Sequence, residues 1–361
     1  MKTRITELFD LSVPIIQAPM AGTATPALAA AVSNAGGLGS LGMGASNADG
    51  AVKMMQTTRQ ATNRPFNVNF FVHERPERDL SKEAGWIETI KPFMDEFNAD
   101  APDALNEIYL SFNDNDELFE ATLAAQPPIV SFHFGLPTPE RASALKAYGA
   151  TLLSSVTNVA EAKVAEAAGM DAIVAQGFEA GGHRGTVTEP FEDGYVTTMA
   201  LVPLVVDAVD IPVIAAGGIM NGDGIAAALA LGAEAVQMGT AFISCAESAA
   251  NEAFRQLLLS DRALRTELTT VISGRPARAI VNRFVDELRD RAADIPGYPM
   301  TYDAGKALGA AAAAGGSSEF APMWAGQAAP LSRAMSAAAL IEVLMNETKA
   351  AIGRLGALSS N

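Results

Sequence analysis

Short apolar runs, each bounded by glycine or polar residues, recur eight times along the chain. Continuous apolar runs of this length are typical of strands that are buried on both faces, as in a parallel sheet. We therefore predict eight strands, counted one to eight in chain order. They centre on Ile15–Ala18, Leu38–Leu41, Phe66–Phe70, Ile129–Phe132, Thr151–Ser154, Ala172–Gln176, Val213–Ala216 and Ala235–Met238.

Between these runs lie segments whose apolar residues are spaced three or four apart, which is the spacing of one helix face. Several of these segments are followed by glycine and then by the next apolar run, and glycine past the last turn is a common helix end signal. The predicted helices are Thr25–Asn34, Ala48–Thr58, Pro139–Tyr148, Val159–Ala168, Met199–Val209 and Gly224–Leu231.

Eight strands that alternate with helices favour a closed (β/α)8 TIM barrel. A doubly wound open sheet is the alternative architecture for the same alternation. Glycine-rich segments follow the seventh and eighth strands, at Gly217-Gly218 and Gly239-Thr240. Because barrels of this kind commonly bind a phosphate at those two positions, the barrel is the favoured fold.

Two intervals are too long for a minimal barrel. About 58 residues separate strands three and four, and we interpret residues 75–125 as a helical insertion. After strand eight, we assign Ala334–Ile352 to the closing barrel helix and residues 244–330 to an appended, mostly helical excursion that is a candidate lid. The predicted domains are therefore a barrel of residues 1–243 and 331–361, and the excursion.

The charge balance narrows the function classes. The chain has 361 residues, with 25 Lys and Arg against 41 Asp and Glu, a formal net charge of −16. This excess of acid argues against nucleic acid and against an anionic membrane surface as partners. The single cysteine, Cys245, allows no internal disulfide, so the cytoplasm is the expected location. We find neither a signal peptide nor a transmembrane segment in the sequence.

Polar amides stand at the ends of three apolar strands. They are Asn69, Gln176 and Gln237, and a buried amide is costly unless it is hydrogen-bonded. Each could simply bond the neighbouring backbone. Together at one rim of a barrel they favour a polar ligand, because amides pair with both donors and acceptors of a heterocycle.

The glycines after strands seven and eight suit close approach of backbone N–H groups to a phosphate. Thr240 adds a hydroxyl donor beside Gly239. Plain turn chemistry is the alternative explanation. Gly37–Gly42 also matches the G-x-G-x-x-G dinucleotide fingerprint, but it lies inside predicted strand two rather than between a strand and its helix, so we assign no site there.

Three histidines, His73, His133 and His183, all follow strand ends. His183 is flanked by Gly181, Gly182 and Gly185, which offer it little packing, so we expect its imidazole on a loop over the pocket. Histidine suits a base or charge partner near neutral pH. The histidine spacing matches no metal motif, and we predict no metal site. Cys245 lacks a base partner in the sequence and is expected to pack.

These motifs resemble the nitronate monooxygenases. The resemblance spans roughly Leu8 to Gln327 and depends on the order and spacing of the motifs together. It is carried by Pro14–Met20, Asn67–Phe71, His133–Pro137, Ala180–Gly185, Ala215–Ile219, Gln237–Thr240 and Met323–Gln327.

The resemblance implies a barrel flavoenzyme with non-covalent FMN. The implied phosphate contacts are Gly218 and the run Gln237, Met238, Gly239 and Thr240, and the implied ring contacts are Asn69, Gln176 and Gly181. The form of the motifs is similar to class I enzymes, for which His183 is the matching catalytic residue. The pocket residues implied in the same way are Tyr109, His133, Tyr298, Tyr302 and Lys306.

The implied reaction is oxidation of an alkyl nitronate, such as propionate 3-nitronate, by O2 to a carbonyl product plus nitrite or nitrate. A neutral nitroalkane is the other candidate substrate, with His183 removing its α-proton. An FMN-dependent NAD(P)H:quinone or enoyl-thioester reductase is the first alternative function, because related barrels share the Gly-Gly-His element. A non-redox barrel that binds a phosphorylated metabolite is the second.

Overall fold

The computed structural model describes residues 1–187 and 191–358, and the apolar runs form the expected barrel strands there. The described residues contain eleven strands: β1 (Ile15–Gln17), β2 (Gly39–Gly42), β3 (Phe66–Phe71), β4 (Ile129–His133), β5 (Thr151–Val156), β6 (Ala172–Gln176), β7 (Gly182–His183), β8 (Val213–Ala216), β9 (Ala235–Met238), β10 (Thr266–Thr269) and β11 (Ala277–Ile280).

Eight of these strands form one parallel sheet in the order β1-β9-β8-β6-β5-β4-β3-β2. A parallel bridge between Ile16 and Leu38 brings the two edges, β1 and β2, together. The sheet therefore curls into a nearly closed barrel, which confirms the predicted (β/α)8 fold. The predicted strands seven and eight are β8 and β9, since the short strand β7 lies between β6 and β8.

Helices surround the barrel, and each of the six helices predicted between strands is present within a few residues of its expected bounds. The α-helices of the described residues are α1 (Arg4–Leu8), α2 (Pro26–Asn34), α3 (Ala48–Ala61), α4 (Leu80–Asp95), α5 (Asp116–Ala125), α6 (Pro139–Ala147), α7 (Val159–Ala167), α8 (Thr198–Val206), α9 (Gly222–Ala230), α10 (Thr240–Ile243), α11 (Glu252–Leu258), α12 (Arg283–Leu288), α13 (Met300–Ala314) and α14 (Ala337–Leu358).

Burial explains why the strands form where they do. Every residue of β6 and of β8 is buried, because one face packs inside the barrel and the other packs against helices. The largest apolar cluster lies between strands and helices and includes the closing helix α14. A smaller cluster inside the barrel contains Ile16, Leu153 and Ile214 and is joined by Ile5 of α1.

A second apolar core joins the insertion to the excursion. Trp86 and Ile90 of α4 pack in one cluster with Phe284 of α12 and Leu308 of α13. The two additions to the barrel thus bury their apolar faces against each other. The division into a barrel of residues 1–243 and 331–361 and an excursion of residues 244–330 stays a prediction, and residues 188–190 and 359–361 lie outside the described part.

The excursion also contains a feature that the sequence analysis did not predict. Strands β10 and β11 pair antiparallel, and β11 pairs in turn with β7, so that Ala277 lies opposite His183 and Arg278 opposite Gly182. Both β10 and β11 are four residues long and carry charged residues, so their composition gives little strand signal. Pairing with the His183 segment, rather than local propensity, places them in a sheet.

No helix among the described residues is long and apolar enough to cross a membrane.

Candidate active site

A cavity of about 470 Å³ opens at the carboxyl ends of the barrel strands. Barrel enzymes carry their active sites at this end of the barrel. The structure brings all but one of the predicted site residues to its wall. Those that line it are Asn69, Tyr109, His133, Gln176, Gly181, His183, Gly218, Gln237, Met238, Gly239, Thr240, Tyr302 and Lys306.

Part of the cavity wall is built from backbone. Gly217 and Gly218, directly after β8, have φ values of +114° and +71°, a left-handed turn that residues with a Cβ adopt only at a cost. Gly239 caps α10 without any side-chain hydrogen bond. The Thr240 hydroxyl accepts from the backbone N–H of Gly326 at 3.0 Å, which leaves its own proton for another partner.

Side chains behind this turn hold it in place. The Thr198 hydroxyl lies 2.9 Å from the Gly217 carbonyl and shares its one proton between that carbonyl and the Glu179 carboxylate. The Glu179 carboxylate accepts from the Thr198 backbone N–H at 2.8 Å and lies 2.9 Å from its hydroxyl. The Glu179 carbonyl accepts from the backbone N–H of Gln327. The glycine turn is therefore anchored from its protein side, which leaves its cavity side to a ligand.

The two amides at β3 and β6 are partly used within the protein. Asn69 donates to the Ser131 hydroxyl at 2.9 Å. Gln176 donates to the His183 carbonyl at 3.0 Å, and its oxygen accepts from the Gly185 backbone N–H at 2.8 Å. Gln176 therefore fixes the His183 loop, which is the neighbouring-backbone role that the sequence analysis left open, while it also lines the cavity.

The His183 segment is further held by two buried arginines. Arg184 donates to the carbonyls of Gln176, Gly177 and Gly194. Arg278 of β11 donates to the Phe178 carbonyl at 3.0 Å, and its guanidinium lies 4.7 Å from the Phe178 ring centre. Both guanidinium groups thus satisfy loop carbonyls, and the pairing of β7 with β11 ties this loop to the excursion.

The His183 imidazole is held from behind by Ser273. Its Nε2 lies 2.9 Å from the Ser273 hydroxyl, and its carbonyl lies 3.2 Å from Nε2 of His133. Burial, His133 and the Arg275 guanidinium lower the pKa of His183 to about 3. Burial likewise lowers the pKa of His133 to about 4. Both imidazoles are therefore neutral at pH 7 in the ligand-free protein.

An aromatic wall faces His183. The ring centres of Tyr302 and Trp324 lie 5.8 and 5.1 Å from the imidazole centre. The Tyr302 hydroxyl accepts from Trp324 Nε1 at 3.3 Å and keeps its proton for a ligand. Burial and Asp303 raise the pKa of Tyr109 to about 12, and burial raises the pKa of Tyr302. Both phenols are therefore protonated donors at neutral pH.

Lys306 completes this wall, with its ammonium 4.8 Å from the ring centre of Tyr109. Among the described residues that line the cavity, it is the only lysine or arginine, and no aspartate or glutamate is present. In a chain of net charge −16 this is an unusual local composition. An anion in the cavity would therefore face no carboxylate of the described lining residues.

Two residues singled out from the sequence lie behind the wall. Tyr298 is buried and does not line the cavity; its ring packs 5.9 Å from His183 and 5.0 Å from His73. His73 is buried in the same aromatic group.

Within the described residues, no group of three or more His, Cys, Asp or Glu is placed to hold a metal ion.

Ser273 was missed by the sequence analysis. It lies 90 positions from His183 in the chain, and only the pairing of β7 with β11 brings the two together. No local motif around a lone serine carries that information.

Comparisons with known proteins agree with this geometry. The sequence profile of the nitronate monooxygenase family matches residues 2–347. The chain is 50% identical over 355 residues to a nitronate monooxygenase of Paraburkholderia phytofirmans, covering 98% of this chain and 97% of that protein. It is 49% identical over 350 residues to one of Pseudomonas aeruginosa, covering 97% and 100%.

A solved structure points the same way. A nitroalkane oxidase from Streptomyces ansochromogenes superposes with a TM-score of 0.88 at 39% identity, covering 97% of this chain and 99% of that one. The similarity extends over essentially the whole length in each comparison, so it includes the barrel, the insertion and the excursion. The chain belongs to the nitronate monooxygenase family, and is an oxidoreductase.

Proposed function

We propose that this protein is an FMN-dependent nitronate monooxygenase that oxidises alkyl nitronates, with propionate 3-nitronate as the expected substrate. With one O2 per nitronate the products balance as a carbonyl compound and nitrate; with one O2 per two nitronates they balance as two carbonyl compounds and two nitrite ions. The observation that carries the proposal is a cavity whose described lining contains no carboxylate and combines the glycine backbone of Gly217-Gly218 with Lys306 and two phenols.

The backbone part of the cavity wall suits the FMN phosphate. The turn at Gly217-Gly218 and the start of α10, whose cap Gly239 has no side chain, supply N–H donors, and Thr240 supplies a hydroxyl. Asn69 and Gln176 line the cavity at the ends of β3 and β6, where amides can meet a heterocycle edge. When bound, FMN supplies the redox chemistry, and the protein supplies orientation and electrostatics.

A second group of lining residues suits the substrate anion. Lys306 offers a cation, and the protonated phenols of Tyr109 and Tyr302 offer O–H donors. His183 lines the same region and is packed by aromatic rings, which fix the position of its imidazole. These groups hold and orient a nitronate, and no carboxylate among the described lining residues repels it.

The electrostatics of His183 favour a nitronate over a neutral nitroalkane. A base is most effective when its pKa lies near the working pH. With a pKa lowered to about 3, His183 is a weak acceptor for the α-proton of a nitroalkane. A nitronate has already lost that proton, so its oxidation does not depend on a strong base. We therefore expect nitronates to be turned over faster than the corresponding nitroalkanes.

The proposal is tested with the purified full-length protein. Its absorption spectrum and the released flavin should show FMN, and oxygen uptake should begin on addition of propionate 3-nitronate. Mixing with NADH without oxygen should leave the flavin oxidised. Rapid bleaching by NADH, with no oxygen uptake on nitronate, supports the reductase alternative. A folded, colourless protein that takes up no FMN supports the non-redox alternative.

A further inference from the structure

Ser273 is the starting point, because its hydroxyl lies between the His183 ring and the Arg275 carbonyl and has only one proton to donate. The residue is fully buried. Its Oγ is 2.9 Å from His183 Nε2 and donates to the Arg275 carbonyl at 3.2 Å. It also accepts, at 3.4 Å, from the Arg275 backbone N–H. Within the described residues, the contact with Ser273 is the one hydrogen bond of the His183 ring.

Proton counting then fixes the tautomer. A serine hydroxyl has one proton and can accept two hydrogen bonds. A carbonyl oxygen can only accept, whereas a neutral imidazole nitrogen can accept or donate, so all three groups are satisfied together only when the Ser273 proton lies toward Arg275. The contact with His183 must then be a donation from Nε2–H to Oγ. The reverse arrangement would place the Oγ lone pairs against the Arg275 carbonyl without a proton between them.

The other ring nitrogen is consequently the one that meets a ligand. In the neutral imidazole, a proton on Nε2 leaves a lone pair on Nδ1. Nδ1 makes no hydrogen bond to the described residues and is not sealed from the cavity that His183 lines. The backbone of His183 is fixed separately, by Gln176, His133 and the pairing with Ala277.

We propose that Ser273 is a positioning residue that holds His183 as the Nε2–H tautomer, so that Nδ1 is the proton-accepting atom of the cavity. This inference rests on the proposed function for its catalytic meaning. When a nitroalkane is the substrate, its α C–H bond breaks, the proton passes to Nδ1, and the electron pair stays on the nitronate. The imidazolium formed keeps its Nε2–H bond to Ser273.

The charged and titratable groups around His183 do not offer Nε2 another partner. From β4 comes His133, from the segment before β11 comes Arg275, and from the α13 side come Tyr298, Tyr302 and Lys306. Of the described residues, only Ser273 bonds the ring. Removal of the Ser273 hydroxyl should therefore allow both tautomers of His183, because no second acceptor holds the proton on Nε2.

The test is long-range ¹H–¹⁵N NMR of the FMN-loaded protein, which distinguishes protonated from unprotonated ring nitrogens. The chain has only three histidines, so His183→Gln identifies the His183 signals by their loss. We expect Nε2 protonated and Nδ1 unprotonated in the wild type. In Ser273→Ala we expect a mixture of tautomers or faster exchange of Nε2–H, and about tenfold slower nitroalkane turnover with a smaller loss on nitronates.

Ser244→Ala is the matched control, because Ser244 is also a buried serine but its hydroxyl has no protein partner among the described residues. It should leave the His183 signals unchanged. A wild type with the proton on Nδ1, or a Ser273→Ala spectrum identical to that of the wild type, would overturn the inference. A wild type with the expected tautomer but no nitronate oxidation would instead refute the proposed function.

Discussion

The glycine turn after β8 gives a sharp prediction for FMN binding. In Gly218→Ala the new Cβ must adopt a φ near +71°, and it would lie 3.2 Å from Cβ of Glu179. Glu179 is anchored by its bonds to Thr198 and by its own carbonyl, so it cannot readily yield. A left-handed backbone at a residue with a Cβ costs about 1–2 kcal/mol.

We expect the flavin-free variant to relieve this strain by turning out of the left-handed region, which swings the N–H of residue 218 away from the cavity. Binding of FMN must then restore the strained turn. The cost of about 1–2 kcal/mol therefore weakens FMN binding by a factor of about 5–30. Titration of the flavin-free protein with FMN, followed by quenching of flavin fluorescence, measures that factor.

Gly316→Ala is the control, because Gly316 has a φ of +77° but lies after α13, and a Cβ there meets nothing within 4 Å. It carries the same backbone strain without a ligand. It should lower the stability of the fold and leave the FMN dissociation constant unchanged. An unchanged dissociation constant in Gly218→Ala would refute the assignment of this turn to the phosphate.

Three further predictions follow from the His183 region. His183→Ala should slow nitroalkane turnover by about 10²–10⁴ and nitronate turnover by about tenfold, measured by steady-state oxygen uptake; equal losses on both substrates would contradict the acceptor role. A bound anion should raise the pKa of His183 above its low ligand-free value, so nitrate affinity should be flat at neutral pH and rise on acidification; a titration of the FMN-loaded protein that gives the same rise in His183→Ala would exclude His183 as its source. Arg278→Met removes the donors to the Phe178 carbonyl and should lower the thermal unfolding midpoint by about 2–4 °C; a midpoint equal to that of the wild type would show that this bond does not stabilise the loop.

The barrel could be predicted because its strands are buried on both faces. Runs such as Ala172–Gln176 and Val213–Ala216 carry that burial in their own composition, and the alternation with helices then limits the fold. The glycine turn could be predicted for a similar reason. A Gly-Gly pair at a strand end has few roles other than a turn or a close approach of backbone.

The remaining features depend on contacts between distant parts of the chain. Ser273 meets His183 only because β11 pairs with β7, and α4 packs with α13 across more than 200 residues of sequence. Tyr298 was expected in the pocket but lies behind His183. Its position follows from the packing of several rings and not from its neighbours in the sequence. Local patterns report which residues are buried, but not which buried residues touch.

A crystal structure of the FMN-loaded protein tests the central claim most directly. We expect the FMN phosphate within hydrogen-bonding distance of the backbone N–H groups of Gly218 and Thr240, and the flavin ring in the part of the cavity that His183 lines. A phosphate bound elsewhere, or a His183 side chain turned away from the flavin, would contradict it.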